Sequence, residues 1–181
     1  MKIIPTSIVD IVVFEPKVFA DNRGYFFEAF NSNEFIKAGV NRKFVQDNQS
    51  LSEKNVLRGL HFQSPPFDQG KLVRVIKGAV LDVAVDIRKS SLTYGKWVSQ
   101  VLSEENKLMM WIPSGFAHGF LTLESNTVFF YKCTGFYNSN AEGIIKWNDS
   151  DVNIDWNVEN PIISERDKTG QEFKNFVTPF E

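Results

Sequence analysis

Short apolar segments recur along the whole chain, and turn-forming prolines and glycines separate them. Successive residues of a β-strand point to opposite faces, so a strand with one buried face alternates in polarity. Many short strands at this spacing predict an all-β sandwich or barrel. The segments are 8–14, 24–30, 71–77, 80–87, 96–102, 107–112, 120–123 and 127–133. In 80–87 one face carries Leu81, Val83, Val85 and Ile87, and the other carries Asp82, Ala84 and Asp86.

Helix signals are confined to one short stretch, 31–39. Asn31 and Ser32 can cap the start of a helix, and Gly39 is a common residue just past a helix end. The chain from residue 160 onwards is polar, and we expect it to be irregular. A length of 181 residues suits one domain with its own core. We find no internal repeat or linker and therefore expect a single domain over residues 1–181.

Composition argues against several kinds of partner. The net charge of −2 gives no electrostatic reason for binding nucleic acid or a membrane. No apolar run approaches the length of a membrane span. Cys133 is the only cysteine and cannot form an intrachain disulfide, which fits a reducing compartment, so we expect a cytoplasmic protein. The 17 phenylalanines are expected mainly in the core and at a subunit interface, although some could stack on a base or sugar ring.

The histidine count bears on metal chemistry. The chain has two histidines, His61 and His118, with no His-x-His pair and no third histidine. With a single cysteine as well, a structural or catalytic transition-metal site is not expected. We therefore expect no metal, and chemistry carried out by organic acids and bases.

His61 lies in the segment 56–63. Alternation predicts Arg58 and Leu60 on one face of a strand, and Gly59, His61 and Gln63 on the other. One interpretation is a structural, hydrogen-bonded histidine. The other is a general base, because histidine is the side chain that ordinarily titrates near neutral pH.

Several charged or titratable residues have the same two interpretations. His118 follows a turn that contains Pro113 and Gly115, and a structural role is equally open. Arg23, Lys71 and Arg74 are of a type that usually carries a solvated charge. If two or three such cations converge, they can bind a diphosphate, with arginine as a bidentate donor.

Eight motifs in order carry a resemblance that covers nearly the whole chain. They are Phe-Ala-Asp-Asn-Arg-Gly-Tyr-Phe-Phe-Glu at 19–28, Val-Gln-Asp-Asn at 45–48, Val-Leu-Arg-Gly-Leu-His-Phe-Gln at 56–63, Gln-Gly-Lys-Leu-Val-Arg-Val at 69–75, Asp-Val-Ala-Val-Asp-Ile-Arg at 82–88, Trp-Ile-Pro-Ser-Gly-Phe-Ala-His-Gly-Phe at 111–120, Tyr-Lys-Cys-Thr at 131–134 and Ile-Ser-Glu-Arg-Asp at 163–167. One tetrapeptide would be a weak signal, but together they resemble the dTDP-4-dehydrorhamnose 3,5-epimerases of dTDP-rhamnose and surface polysaccharide biosynthesis.

The resemblance implies a fold, an assembly and a set of site residues. The fold would be a cupin-type jelly roll with few short helices, usually a homodimer and without metal. By motif position, His61 matches the catalytic base, Tyr131 the proton donor and Asp167 the acid paired with the histidine. Lys71 is a suitable cation for the charge that develops on the substrate oxygen O4. The ligand-contacting positions would be Arg23, Phe26, Glu28, Gln46, Asp47, Asn48, Arg58, Lys71, His118, Tyr137, Glu142 and Arg166.

The implied activity is inversion of C3 and C5 in dTDP-4-dehydro-6-deoxyglucose, which gives dTDP-4-dehydrorhamnose. Both carbons flank the C4 carbonyl, so a base and an acid suffice and no redox cofactor is needed. Other possibilities remain open: inversion at one carbon alone, a GDP- or CDP-linked hexose or heptose as substrate, a 3,4-ketoisomerase, or a sugar-binding cupin without catalysis.

Overall fold

The computed structural model describes residues 1–181, and its regular secondary structure consists almost entirely of strands. The strands are β1 Lys2–Pro5, β2 Val12–Glu15, β3 Phe19–Asp21, β4 Gly24–Phe26, β5 Gln46–Ser52, β6 Leu57–Gln63, β7 Lys71–Lys77, β8 Ala79–Asp86, β9 Trp97–Ser103, β10 Met109–Ile112, β11 Phe116–Thr122, β12 Thr127–Cys133 and β13 Glu142–Ile144. One α-helix, α1, spans Ser32–Lys37. Three short 3₁₀ turns lie at Ser139–Ala141, Asp167–Thr169 and Phe173–Asn175.

The strands form two antiparallel sheets that pack face to face. The first sheet has the order β1-β2-β10-β7-β12-β5, and the second has the order β13-β6-β11-β8-β9. Strands β3 and β4 pair only with each other and form a separate hairpin. This arrangement confirms the prediction of an all-β, cupin-type jelly roll. No helix has the length and apolar character needed to cross a membrane.

Three apolar clusters hold the layers together. The first lies between the two sheets and includes Val73 and Phe129 from one sheet and Ala84 and Phe120 from the other. The second packs the outer face of the five-stranded sheet against the C-terminal part of the chain, including Trp156. The third covers the outer face of the six-stranded sheet with α1 and its neighbours. The central strands β8 and β11 of the five-stranded sheet are therefore buried on both faces, including the face of β8 that carries Asp82 and Asp86.

A bulge in β6 corrects the alternation expected around His61. His61 pairs with His118, and Arg58 pairs with Phe120, so Gly59 and Leu60 together oppose the single residue 119. The extra residue places the Arg58 and His61 side chains in the same pocket, whereas simple alternation put them on opposite faces. Gly59 has a φ of 124°, and an added Cβ would lie 2.6 Å from the Gly119 Cα. The bulge therefore requires glycine at this position.

The buried carboxylate of Asp86 stabilises the turn that follows β8. Its carboxylate accepts hydrogen bonds from the backbone N–H and guanidinium of Arg88 at 2.7–3.0 Å and from the hydroxyls of Ser91 and Thr93, both at 2.6 Å. Burial alone would raise the pKa of Asp86, but these donors outweigh it and lower the pKa to about 2. The carboxylate therefore stabilises the fold while it is ionised.

We expect Asp86→Asn to destabilise the protein by about 2–4 kcal/mol, because it leaves several buried donors facing a neutral amide. Since the folded pKa lies below the unfolded value of about 4, the stabilisation is fully present above pH 4 and is lost as pH falls towards 2. Urea denaturation across this pH range measures both effects.

Asp10→Asn is the matched control for this prediction. Asp10 also pairs with Arg88, at 2.9 Å, but its side chain is 45% exposed, so its loss should cost under about 1 kcal/mol. Equal losses in the two variants would contradict the role assigned to Asp86.

Candidate active site

The largest concentration of functional side chains lines one open pocket between the two sheets. The pocket has a volume of about 600 Å³, and the segment around residues 162–167 closes one side. Its wall combines apolar rings with titratable groups from both sheets. These groups are Arg58, His61, Lys71, His118, Tyr131, Tyr137, Glu142, Arg166 and Asp167.

His61 and Asp167 form a close pair in the wall of the pocket. The His61 Nε2 lies 2.6 Å from the Asp167 Oδ1. The Asp167 Oδ2 accepts a hydrogen bond from the Gly59 N–H at 3.2 Å, and the Asp167 N–H donates to the Ser164 hydroxyl at 3.1 Å. The carboxylate is almost fully buried, whereas the imidazole is 28% exposed. Asp167 is therefore held in place by the backbone around it, and His61 is accessible from the pocket.

The ionisation of Asp167 decides how His61 can act. Burial raises the pKa of Asp167, but the contact with His61 and the Gly59 and Ser164 hydrogen bonds outweigh it, and the pKa lies below its usual value. An ionised carboxylate only accepts, so the His61 Nε2 carries a proton and donates it. The other ring nitrogen, Nδ1, is then free to take a proton, and the carboxylate stabilises the imidazolium that results.

Tyr131 supplies a phenol to the same pocket from β12. Burial raises the pKa of Tyr131, the nearby Cys133 adds to the shift, and Asn48 and Arg58 offset only part of it. The phenol is therefore protonated at neutral pH. A protonated phenol in this position can donate a proton to a bound ligand.

Lys71 and His118 line the floor of the pocket, and Asp82 lies behind His118. The His118 Nε2 lies 2.9 Å and 3.0 Å from the two Asp82 oxygens, and both side chains are buried. Burial lowers the pKa of Lys71, while the Cys133 thiol and the Asp82 carboxylate act in the opposite direction. The Lys71 Nζ lies 6.0 Å from the centre of the Tyr131 ring. A cation here can stabilise negative charge that develops on a ligand oxygen.

A second set of polar side chains lies at the mouth of the pocket. The Tyr137 hydroxyl donates to the Glu142 Oε2 at 2.7 Å, and Glu142 also forms an ion pair with Arg166. The Arg58 guanidinium is held by the Ser52 hydroxyl at 3.1 Å. Two guanidinium groups at one opening suit an anionic ligand such as a diphosphate.

Not every residue singled out from the sequence lies at the pocket. Arg23, Phe26 and Glu28 lie on or just after the β3–β4 hairpin, where Arg23 pairs with Asp21 and the Phe26 ring is exposed. Glu28 accepts a hydrogen bond from Asn31. The structure therefore does not bring these three residues to the pocket lining of the same chain.

The β5 residues are divided between the two faces of that strand. Asp47 forms an ion pair with Lys132 at 2.7 Å on the outer face. Gln46 and Asn48 point inward, and the Gln46 Nε2 donates to the Asn48 Oδ1 at 3.1 Å. Of the arginines and lysines considered as loose cations, Arg74 lies over the rings of Phe27 and Phe130 and not at the pocket.

Sequence reasoning missed Asp82, the fully buried partner of His118. In β8 it alternates with apolar residues, which is the ordinary pattern of a half-exposed strand. One signal for burial was available in the sequence. Asp82 and Asp86 are the only polar residues of β8, and the residue between them on the same face is the small apolar Ala84. No group of three or more histidine, cysteine, aspartate or glutamate side chains is placed to hold a metal ion.

The fold and the pocket together define a class. A cupin-type jelly roll whose pocket holds an imidazole oriented by a carboxylate, a protonated phenol and a partly buried lysine has the side chains that acid–base chemistry needs, and its two guanidinium groups suit an anionic ligand.

Comparisons with known proteins agree with this class. The family model described as dTDP-4-dehydrorhamnose 3,5-epimerase matches residues 5–175. The Shigella flexneri dTDP-4-dehydrorhamnose 3,5-epimerase is 55% identical over 175 residues, which are 96% of each chain. The Legionella pneumophila dTDP-6-deoxy-D-glucose-3,5-epimerase, solved in complex with dTDP-4-keto-L-rhamnose, is 44% identical with a TM-score of 0.94 and covers 97% of this chain and 94% of its own. A 3'-monoepimerase from Streptomyces bikiniensis, in complex with dTDP-quinovose, is 30% identical with a TM-score of 0.87, covering 93% and 86%.

The chain belongs to the dTDP-4-dehydrorhamnose 3,5-epimerase family. It is accordingly an isomerase of the kind that acts on carbohydrates. This confirms the family resemblance and the enzyme class predicted from the eight motifs.

Proposed function

We propose that the chain inverts C3 and C5 of dTDP-4-dehydro-6-deoxyglucose and releases dTDP-4-dehydrorhamnose. One observation carries the proposal most directly: His61, oriented by Asp167 at 2.6 Å, lines the same pocket as the half-buried phenol of Tyr131. A base and a separate acid are what inversion at a carbon next to a carbonyl requires.

The reaction follows from the acidity of the carbons beside the C4 carbonyl. The His61 Nδ1 takes the proton from C3 or C5, and the electron pair moves into the carbonyl to form an enolate. Lys71 stabilises the charge on O4. The Tyr131 phenol then returns a proton to the opposite face of the same carbon, which inverts it. Before the second carbon reacts, His61 loses its extra proton to solvent and the Tyr131 phenolate takes one up.

The test is to follow proton exchange in deuterated water. We expect the protein to exchange the C3 and C5 hydrogens of dTDP-4-dehydro-6-deoxyglucose, followed by NMR, and to do so equally after prolonged chelation with EDTA. GDP- and CDP-linked 4-keto sugars supplied in parallel identify the base that is accepted. No exchange with the dTDP-linked sugar would overturn the proposal.

A second candidate is inversion at a single carbon. It is favoured by the similarity to the Streptomyces bikiniensis 3'-monoepimerase. The same NMR experiment separates the two, because a monoepimerase inverts one carbon and leaves the configuration of the other unchanged.

We also propose that the chain acts as a homodimer. Arg23 and Phe26 match ligand-contacting positions by motif, yet they lie on an exposed hairpin away from the pocket of their own chain. A two-fold assembly resolves the mismatch if the hairpin of each copy reaches the pocket of the other. The exposed rings of Phe19 and Tyr25 on the same hairpin would then be covered.

Mixing two inactive variants tests this assembly. The Arg23→Ala/Phe26→Ala chain lacks the hairpin contacts, and the His61→Asn chain lacks the base, so we expect little activity from either alone. A mixed dimer holds one site with an intact hairpin and an intact base, so random pairing should restore about a quarter of wild-type activity. A monomer by light scattering at micromolar concentration, or no recovery after mixing and refolding, would contradict the proposal.

Three further proposals complete this assignment. The chain forms one domain over residues 1–181, needs no cofactor and works in the cytoplasm. A free, buried Cys133 supports the reducing compartment.

A further inference from the structure

The inward face of β5 is unusual because it is polar along its whole length. Residues 47, 49 and 51 of this edge strand are exposed. The alternate residues point towards the space between the sheets, where the other strands place mainly apolar side chains. The inward row consists of Gln46, Asn48, Ser50 and Ser52.

Three of these four side chains have hydrogen-bond partners within the protein. Gln46 donates to Asn48, the Asn48 Nδ2 lies 3.6 Å from the Cys133 Sγ, and Ser52 accepts from Arg58. The Ser50 hydroxyl has none, and its oxygen is shielded from solvent. A buried hydroxyl without a partner carries a desolvation penalty, so its presence calls for an explanation.

The position of Ser50 explains why its hydroxyl lacks a partner within the protein. Ser50 lines the candidate pocket. In the strand register Asn48 lies opposite Tyr131, and Ser50 lies opposite Phe129, one inward step further along the strand. The next inward residue, Ser52, holds Arg58. Ser50 is therefore placed between the phenol that would protonate the sugar and an arginine suited to the diphosphate.

We propose that the Ser50 hydroxyl hydrogen-bonds a hydroxyl group of the sugar ring and thereby contributes to substrate specificity. This inference rests on the proposed function and deepens it. A neutral hydroxyl without a cation of its own suits a neutral sugar hydroxyl, whereas phosphate oxygens favour guanidinium groups. Rotation about one side-chain bond turns the Ser50 oxygen towards a ligand while the strand stays fixed.

Thr122 offers a matched control within the same protein. It is the other buried hydroxyl without a partner, it is fully buried in β11, and it does not line the pocket. Removing either hydroxyl, by Ser50→Ala or Thr122→Val, deletes an unsatisfied buried group. If Ser50 serves the ligand, only the first change should affect binding.

The experiment measures binding and turnover in the full-length protein. We expect Ser50→Ala to raise the Kd for dTDP-glucose and the KM for the 4-keto substrate by about three- to tenfold, the effect of one neutral hydrogen bond. The Kd for dTDP alone should stay at the wild-type value. Thr122→Val should leave all three constants unchanged, and neither variant should lower the thermal midpoint.

Each other outcome overturns the inference in a recognisable way. Equal weakening of dTDP and dTDP-glucose would place the contact on the nucleotide diphosphate and not on the sugar. Unchanged constants, or a lowered midpoint with an unchanged KM, would leave Ser50 with a structural role only. If the wild-type protein neither binds dTDP-glucose nor exchanges the substrate hydrogens, the proposed function itself fails and this inference fails with it.

Discussion

Replacing His61 with asparagine is expected to abolish deuterium exchange at both C3 and C5, with a loss of about 10²–10⁴-fold or more in turnover. Asparagine keeps a polar group near Asp167 but cannot accept the proton, and no carbon can be inverted until its proton has left. The measurement is the NMR exchange rate in deuterated water, normalised to folded protein by circular dichroism.

Asp167→Asn provides the graded comparison for this prediction. It leaves the base in place but removes the carboxylate that fixes the imidazole and stabilises its charged form, so exchange should slow to a rate between those of wild type and His61→Asn. If His61 were structural, its replacement would lower stability and leave turnover per folded molecule nearly unchanged. A folded His61→Asn protein with the wild-type exchange rate would rule out the base assigned here.

The fold was predictable where hydrophobic periodicity was strong. The segments 71–77 and 127–133 coincide with β7 and β12 at both ends, and the stretch 31–39 contains α1 with Asn31 as its N-cap. The segment 120–123 was too short, because β11 begins at Phe116 and continues through Gly119. Gly119 faces the β6 bulge, and its lack of a side chain allows the two strands to approach closely.

Strand β5 was not predicted, because hydrophobic periodicity detects only strands that have an apolar face. Its inward residues are polar, so the segment 46–52 has no apolar face to detect. Gln49 and Ser50 of this edge strand line the pocket, and a polar inward face is what the proposed substrate contacts require. The weakest strand signal in the sequence therefore coincides with a functional surface.

The family resemblance, and not the spacing of the sequence, indicated that His61 and Asp167 pair with each other. His61 and Asp167 are 106 residues apart, and no local pattern brings an acid in the C-terminal segment to a histidine in β6. Alternation also put Arg58 and His61 on opposite faces of the strand, whereas the bulge at Gly59 places both side chains in one pocket. Long-range pairing and a one-residue register change depend on tertiary packing, which a single sequence does not encode in its local pattern.

The phenol of Tyr131 should have an effect distinct from that of His61. Burial keeps it protonated, so its proposed role is to deliver a proton after the enolate has formed and not to remove one. Tyr131→Phe preserves the ring and its packing and removes only the hydroxyl. We expect inversion at C3 and C5 to fall by at least about 10²-fold.

Exchange, in contrast, should persist in Tyr131→Phe, because His61 still removes the proton. The imidazolium then exchanges its proton with deuterated water and returns a deuteron to the same face, so label enters C3 and C5 with their configuration retained. NMR distinguishes loss of the C3 and C5 proton signals from formation of the inverted sugar. Tyr137→Phe is the matched control: its hydroxyl contacts Glu142 at the pocket mouth, so the change should weaken substrate binding without separating exchange from inversion. Parallel loss of exchange and inversion in Tyr131→Phe would show that the phenol is needed for deprotonation, and the division of labour between base and acid would be wrong.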